Sequence, residues 1–156
     1  MRHKKIAKRQ VEEDKIYQSK LVTKFVNGIM KDGKKSVAQK AFYDCLELLK
    51  KNGEPIGIFE TAINNVGPKT EVKARRVGGA NYQVPQEVRG DRRIALAIRW
   101  IIEAARAKSS KEFHTFSEKL AAEILAASKN EGEAVKKRDN VLRMAEANRA
   151  FSHFRF

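Results

Sequence analysis

The chain has 156 residues, about the size of one ordinary domain, and 42% of them are hydrophobic, which excludes a wholly disordered protein. It carries 33 basic and 19 acidic side chains, for a formal charge of +14, and such an excess indicates a polyanionic partner, either a nucleic acid or a membrane surface. No stretch approaches the roughly 18 consecutive apolar residues of a membrane span, so we predict a soluble protein without a membrane partner.

The positive charge is concentrated in three segments. Residues 1–9 hold five basic and no acidic side chains, residues 67–93 hold seven against three, and residues 134–156 hold six against two. Residues 37–66 are nearly neutral, with three basic against four acidic side chains, and residues 94–133 balance at six against six. This distribution favours a neutral scaffold that presents basic surfaces to a partner.

The first half of the chain shows helical periodicity after an irregular start. Residues 1–18 lack any period and are predicted to form a flexible basic arm. Apolar residues at helical spacing then predict three helices, over Leu21–Met30, Val37–Leu49 and Ile58–Val66. Ser36 is a candidate N-cap of the second helix, and Asn52-Gly53 ends that helix in the manner of a glycine C-cap.

The period changes to alternation between Glu71 and Val88. Gly78-Gly79-Ala80-Asn81 supplies a turn, so residues 71–88 are predicted to form a β-hairpin, with Pro85 placing its second strand at an edge. The sequence offers no other strand for this hairpin to join, and a lone two-stranded ribbon is marginal in water. We therefore expect the hairpin to project from the helices and to be braced by a partner.

Three further helices follow the hairpin. The fourth has Asp91 as a candidate N-cap and an apolar face that extends from Ile94 to Ala105. Thr115-Phe116-Ser117-Glu118 has the form of a capping box and opens the fifth helix. Gly132 separates the fifth helix from the sixth, which we place over residues 133–148.

The predicted fold class is mostly α. One domain of six helices, residues 1–156, carries a β-hairpin arm between the third and fourth helices and a basic N-terminal extension. A basic and aromatic tail, residues 149–156, follows the last helix. Its phenylalanines alternate with basic side chains, a pattern that is compatible with binding of single-stranded nucleic acid or with attachment of the tail to the body.

No catalytic or metal-binding arrangement is visible. Gly28-x-x-x-x-Gly33-Lys34-Lys35 is similar to a phosphate-binding loop, but Lys35 stands where such loops need a hydroxyl for magnesium. Cys45, the only cysteine, lies on a helical stripe and is predicted to be a packed core thiol in a reducing compartment. The three histidines have no cysteine or aspartate at ligand spacing. We predict a protein that is not an enzyme and needs no cofactor, metal or small-molecule substrate.

The basic residues around the hairpin are the most specific binding signal. Arg75 and Arg76 precede a glycine-rich tip, where backbone approaches a partner closely, and arginine forks grip phosphates. Tyr82 either stacks on an unpaired base, a contact of about 1–3 kcal/mol, or packs on its own strands. Arg92 and Arg93 oppose the dipole at the start of the fourth helix, which suggests an external anion.

The hairpin also carries a recognisable signature. The run Pro68-x-x-Glu71-Val72-x-x-Arg75-Arg76-Val77-Gly78-Gly79-x-x-Tyr82-Gln83-Val84-Pro85-x-Glu87-Val88 resembles that of the small-subunit ribosomal protein seven family, of bacterial or organellar type. The resemblance covers the chain from about residue 15 and includes Asp32-Gly33-Lys34-Lys35, Ala134-Val135-Lys136-Lys137-Arg138 and Met144-Ala145-Glu146-Ala147-Asn148-Arg149-Ala150-Phe151. The chain departs from the family pattern at Gly67, Gly90 and Phe156, where a larger or basic residue, a proline and a tryptophan are usual.

The resemblance implies a primary ribosomal RNA-binding protein that nucleates assembly of the small-subunit head. By matching position, it implies ribosomal RNA contacts for a set of basic residues: Arg2, Lys4, Lys5, Lys8, Arg9, Lys34, Lys35, Lys73, Arg75, Arg76, Arg92 and Arg93. It places a second set near exit-site transfer RNA or messenger RNA: Gly78, Gly79, Tyr82, Gln83, Lys136, Lys137 and Arg143.

The resemblance also implies partners and a location. The neighbouring proteins would be the ninth and eleventh of the small subunit, and the location would be the ribosome in the cytoplasm, with an organellar ribosome as the alternative. A free-standing RNA chaperone or translational regulator is the alternative function. Such a protein is expected to bind many RNAs alike and to leave ribosomal subunits at moderate salt.

Overall fold

A computed structural model describes residues 10–154 of the chain. These residues form six α-helices: α1 (Lys20–Ile29), α2 (Lys35–Leu49), α3 (Pro55–Val66), α4 (Gly90–Ala107), α5 (Phe116–Ser128) and α6 (Glu133–Ala147). Two strands, β1 (Thr70–Val77) and β2 (Ala80–Glu87), form an antiparallel hairpin between α3 and α4, and short 3₁₀ helices cover Lys50–Asn52 and Arg149–Phe154. The predicted fold class is confirmed.

The fold divides into two compact units, with the boundary between Lys40 and Ala41. The single domain predicted over residues 1–156, and the flexibility of the arm, stay predictions. Residues 1–9 of that arm lie outside the described residues. Its later part contains a turn, since Asp14 is 5% exposed and its Oδ2 accepts hydrogen bonds from the N–H groups of Ile16 and Tyr17, at 3.1 Å each.

The start of α2 differs from the prediction. The helix begins at Lys35, so Ser36 lies inside its first turn and is not the N-cap. Val37 is 64% exposed, whereas Ala38 is 4% exposed. The buried stripe has the spacing i, i+4, i+7, i+8 and i+11, over Ala38, Phe42, Cys45, Leu46 and Leu49. Val37 therefore falls one residue, or about 100°, away from the stripe's first position.

The core of the second unit is built from helices. α3, α4 and α5 pack against one another, and α6 packs against all three. The rings of Phe42 and Phe59 meet edge to face with their centroids 5.3 Å apart. Cys45 is fully buried, and burial raises the pKa of its thiol to about 12, which confirms the predicted core thiol.

Two predicted helix starts have different outcomes. Thr115 and Glu118 form the predicted capping box at α5, since each side chain accepts a hydrogen bond from the other residue's backbone N–H. Asp91, in contrast, is not the N-cap of α4, because the helix begins at Gly90 and Arg89 holds the cap position. Asp91 lies in the first turn instead, where its negative charge complements the helix dipole.

The hairpin is tighter than predicted. Its turn consists of Gly78 and Gly79 alone, with φ angles of 58° and 91°, and Ala80 already pairs with Val77. Glycine adopts two successive positive φ angles without steric cost, which a two-residue turn of this hand requires. Both strands pack against α6, and β2 also packs against the segment Arg149–Phe154. The chain itself thus supports the hairpin, and an additional brace from a partner stays a prediction.

Candidate RNA interface

The base of the hairpin, which we call the root, is tied to α4 by a paired arginine. Arg92 donates from Nε to Glu71 Oε1 at 2.7 Å and from Nη2 to Glu71 Oε2 at 2.8 Å. Glu71 is only 9% exposed, and its hydrogen bond and then its charge raise the pKa of the Arg92 guanidinium. Lys73 Nζ lies 3.9 Å from the same carboxylate. This bidentate pair joins the start of β1 to the first turn of α4.

Arg93 ties the root to a second helix. Its Nε donates to the carbonyl of Gly67 at 2.9 Å, and its Nη2 donates to the carbonyl of Asn64 at 2.9 Å. These carbonyls end α3, and a cation at a helix C-terminus is favourable. A Cβ on Gly67 would lie 2.7 Å from Arg93 Cγ, so this departure from the family pattern leaves room for the arginine.

Arg92 and Arg93 therefore have local partners, contrary to what their place at a helix start suggested. Each arginine has an internal acceptor within hydrogen-bond distance, because the fold brings Glu71 and the end of α3 to the start of α4. No external anion is needed to explain their position. Their contact with RNA stays a prediction.

The end of the hairpin, which we call the tip, is open. Among residues 10–154, Arg75 and Arg76 have no acidic side chain within ion-pair distance. Arg76 is exposed and Arg75 is half-buried. No atom lies within 4 Å of the position that a Cβ would take on Gly78 or Gly79. The tip thus presents two unneutralised guanidinium groups beside an unobstructed backbone turn.

Tyr82 packs on the tail rather than on its own strands. Its ring centroid lies 5.2 Å from that of Phe151 and 5.1 Å from that of Phe154, and the two phenylalanine rings are 6.4 Å apart. Such distances are typical of aromatic pairs, which contribute about 0.5–1.5 kcal/mol each beyond their buried area. We call Tyr82, Phe151 and Phe154 the aromatic clamp. It attaches the tail to the hairpin, which was one of the two interpretations of the tail.

The basic side chains of α6 are mostly paired. Lys136 Nζ lies 2.6 Å from Glu133 Oε1, a hydrogen bond that raises the pKa of this lysine, and Lys137 pairs with Glu103. Arg138 donates to the backbone carbonyl of Asn65 at 2.6 Å. Within the described part of the chain, Arg143 is exposed and has no acidic partner. It is the predicted α6 contact that is most available to a ligand.

The remaining predicted contacts lie elsewhere. Lys34 and Lys35 are exposed beside a turn in which Asp32 and Gly33 have φ angles of 53° and 72°. Gln83 is exposed on β2. The arm residues lie outside the described part: Arg2, Lys4, Lys5, Lys8 and Arg9. Lys34 and Lys35 belong to the first unit, and the other described candidates belong to the second.

Two acidic residues that position this surface were not foreseen. Glu71 belongs to the hairpin signature, which gave no indication of its role, and Glu123 belongs to no predicted site. Glu123 is fully buried; its Oε1 accepts from the Ala134 N–H at 3.0 Å, and its Oε2 lies 2.9 Å from Lys108 Nζ. A sequence signal existed for Glu123, because it lies three residues after Leu120 on the buried face of α5.

Metal-binding and membrane-spanning features do not occur in the described part of the chain. Among residues 10–154, no group of three or more histidine, cysteine, aspartate or glutamate side chains is arranged to hold a metal ion. None of the helices in this range is long and apolar enough to cross a membrane. The candidate site is therefore defined by its basic side chains, by the open Gly78-Gly79 turn and by the contacts that hold these residues in place.

Comparison with known proteins shows what the chain as a whole is similar to. The family profile described as "Ribosomal protein S7p/S5e" matches residues 1–149. A protein from Clostridium acetobutylicum is 57% identical over 153 residues, which cover 97% of this chain and 96% of the relative. A Lactobacillus delbrueckii protein is 54% identical with the same coverage, and a Cytophaga hutchinsonii protein is 52% identical over the full length of both chains. Each relative is named small ribosomal subunit protein uS7.

Proposed function

The chain belongs to the ribosomal protein S7p/S5e family, and on that premise we propose that it is a primary ribosomal RNA-binding protein that nucleates assembly of the small-subunit head. Family membership makes it a structural, RNA-binding constituent of the small ribosomal subunit that acts in translation, not an enzyme. We also propose a finer role for it, in assembly of the subunit head and near the exit-site transfer RNA and the messenger exit.

The single observation that carries the proposal is the open tip. Arg75 and Arg76 have no acidic partner among residues 10–154, and the Gly78-Gly79 turn beside them is unobstructed. Two unneutralised charges on a hydrogen-bonded ribbon are favourable next to phosphates, since binding releases condensed counterions. An open glycine turn allows RNA backbone to approach the protein backbone closely.

The helical core supports this role by staying neutral. Residues 94–133 carry six basic and six acidic side chains, so the core adds little nonspecific attraction to RNA. Phosphate contacts position a protein on RNA, while its shape and the few contacts to bases decide specificity. The core therefore fixes where the basic surfaces point, and those surfaces supply much of the affinity.

The proposal extends to neighbours and location. Arg143 on α6, Gln83 on β2 and the glycine turn are exposed, which is compatible with contacts to transfer or messenger RNA. Neighbouring proteins would be the ninth and eleventh of the small subunit. The ribosome association follows from the family, and a cytoplasmic ribosome is the proposed location, supported by the bacterial sources of the relatives.

The test measures binding to small-subunit ribosomal RNA as a function of salt. Arg75→Ala with Arg76→Ala is expected to lower affinity and to reduce the slope of log K against log salt by about 0.9 for each duplex phosphate that the variant no longer neutralises, or about 0.7 on single strands. The matched control is Lys111→Ala with Lys129→Ala, which removes the same charge from exposed positions in the neutral segment. An equal reduction of slope in both variants would show that only net charge matters.

Footprinting with an unrelated structured RNA as competitor separates the two function classes. A compact footprint on small-subunit ribosomal RNA that survives the competitor is expected of a specific ribosomal scaffold protein. Diffuse protection that the competitor removes would overturn the proposal in favour of a free-standing RNA chaperone. The salt experiment then tests whether the pair Arg75 and Arg76 contributes to the binding that is observed.

A further inference from the structure

We propose that the segment Arg149–Phe154 is a positioning element for RNA recognition. Through the aromatic clamp, Phe151 and Phe154 hold the hairpin so that Arg75 and Arg76, which lie on opposite faces of β1, each keep a fixed direction. The two phenylalanines act through Tyr82 and do not themselves contact RNA. This inference rests on the proposed function, because it concerns how the same hairpin meets the same RNA.

The first step is that the root alone does not hold the tip. The bidentate pair between Glu71 and Arg92 holds β1 at its second residue. Arg75 lies four residues further along, or about 13 Å at 3.3 Å per residue. A two-stranded ribbon twists and bends easily over that length when nothing supports it. Both strands also pack against α6, so the direction of the Arg75 guanidinium depends on that packing and on any further support near Arg75.

The aromatic clamp supplies such a support at the Arg75–Tyr82 pair of the hairpin. Tyr82 is the cross-strand partner of Arg75, so their side chains lie on the same face of the hairpin. The rings of Phe151 and Phe154 contact Tyr82 with centroids 5.2 and 5.1 Å away. The clamp therefore contacts the hairpin at the cross-strand pair that contains Arg75, the half-buried arginine of the tip.

The clamp is itself anchored to the helical core. Asn148 caps the end of α6, where its Nδ2 donates to the Met144 carbonyl at 2.8 Å, and its own carbonyl accepts from the Phe151 N–H at 3.0 Å. α6 is in turn tied to α3, since Arg138 donates to the Asn65 carbonyl. A continuous series of contacts thus leads from α3 through α6 and the tail to the hairpin.

The clamp also changes the role of Tyr82. Two phenylalanine rings pack against its aromatic ring, and a base that stacked there would have to displace them. In the clamped state Tyr82 is an anchor for the hairpin, and its hydroxyl is dispensable for that purpose.

The experiment uses the full chain with a cleavage probe at the tip. Ala80→Cys places one reactive thiol on an exposed residue, and the buried thiol of Cys45, whose pKa is raised to about 12, does not compete for the label. An iron chelate on that cysteine cuts RNA nearby by hydroxyl radicals. In the otherwise wild-type chain we expect a compact set of cuts in small-subunit ribosomal RNA.

Phe151→Ala with Phe154→Ala is expected to spread those cuts over a wider region and to weaken binding about 5- to 10-fold. This weakening corresponds to about 1–1.4 kcal/mol of binding free energy. The conservative variant, Phe151→Leu with Phe154→Leu, keeps apolar contact and is expected to recover most of the compact pattern. Trp100, which is 6% exposed in the core, reports by its fluorescence whether the helices remain folded.

Each result has one meaning. If the alanine variant cuts RNA in the same compact pattern with unchanged affinity, the clamp proposal is overturned while the proposed function stands. If the wild-type chain itself gives no localised cuts, the proposed function fails first. Should the alanine variant lose its core fold, Tyr82→Ala removes the clamp from the hairpin side, and a compact wild-type pattern in that variant overturns the clamp.

Discussion

The hairpin carries one arginine pair at its tip and meets a second at its root, and the two pairs differ in their hydrogen-bond and ion-pair partners. Arg75 and Arg76 have no acidic partner in the described part of the chain. Arg92 is held by both oxygens of Glu71, and Arg93 by two carbonyls at the end of α3. The same dipeptide, Arg-Arg, thus forms an unpaired cationic surface at the tip and a set of hydrogen bonds within the protein at the root.

The difference shows that a count of basic residues is not a count of RNA contacts. An arginine with buried acceptors satisfies several of its five donors inside the protein and has fewer left for a ligand. Charge that is paired within the protein mainly contributes to stability, and charge without such a partner mainly contributes to binding. Substitutions in the two groups are therefore expected to separate these two measurements.

The largest effect on the free energy of unfolding is expected at the buried carboxylate of Glu123. Glu123→Ala leaves Lys108 without its 2.9 Å partner and removes the carboxylate that accepts from the Ala134 N–H at the start of α6. We expect the free energy of unfolding to fall by about 3 kcal/mol, as for a buried ion pair that loses one member. Denaturant unfolding followed by circular dichroism measures it.

The control is an exposed ion pair in the first turn of α6. Glu133→Gln breaks an ion pair with Lys136 in which both side chains are more than half exposed. Exposed pairs contribute about 0.2–1 kcal/mol, so this variant is expected to unfold almost as the wild type does. Equal destabilisation by Glu123→Ala and Glu133→Gln would contradict the distinction between buried and exposed charge.

A smaller effect compares the two arginine pairs directly. Arg93→Met removes hydrogen bonds to two carbonyls and is expected to reduce the free energy of unfolding by about 2 kcal/mol. Arg76→Met is expected to change it by less than about 0.5 kcal/mol, because the side chain is exposed, but to weaken RNA binding. Equal destabilisation by Arg76→Met and Arg93→Met would contradict the claim that the root arginines, and not the tip arginines, stabilise the fold.

The smallest effect concerns the packing of the root. Gly67→Ala places a Cβ 2.7 Å from Arg93 Cγ and 2.8 Å from its Nε, so the arginine must move from its carbonyl acceptors. We expect the free energy of unfolding to fall by about 1 kcal/mol. In the double variant with Arg93→Met the two effects should not add, since the methionine has already removed the hydrogen bonds that the clash disrupts. Full additivity would show that the clash acts elsewhere.

Local signals predicted most of the fold. The capping box of Thr115 and Glu118 was predicted because both partners lie within four residues, and the hairpin because its turn chemistry and alternation are local. The predictions that were wrong also concern local detail, at the first turns of α2 and α4. A local pattern fixes a helix boundary only to within one or two residues, and here the buried stripe of α2 begins at Ala38 rather than Val37, while Arg89 rather than Asp91 holds the cap position of α4.

The candidate site was predicted less completely than the fold. The position of Arg75 and Arg76 on a ribbon with a glycine turn followed from adjacent residues. The partners of Arg92, Arg93 and Tyr82 did not, because they lie 21, 26 and about 70 residues away. Spacing in one helix or strand carries no information on which distant element will pack beside it.

The sequence by itself determined the class of this protein: a neutral, mostly helical body, an inserted hairpin and an excess of positive charge outside the core. Only the tertiary structure decided which charged side chains are paired within the protein. Glu71, Glu123 and the end of α3 became partners through packing, and the tail became a brace because it reaches Tyr82. Periodicity and charge are properties of neighbours along the chain, whereas the pairing of a buried charge depends on neighbours in space.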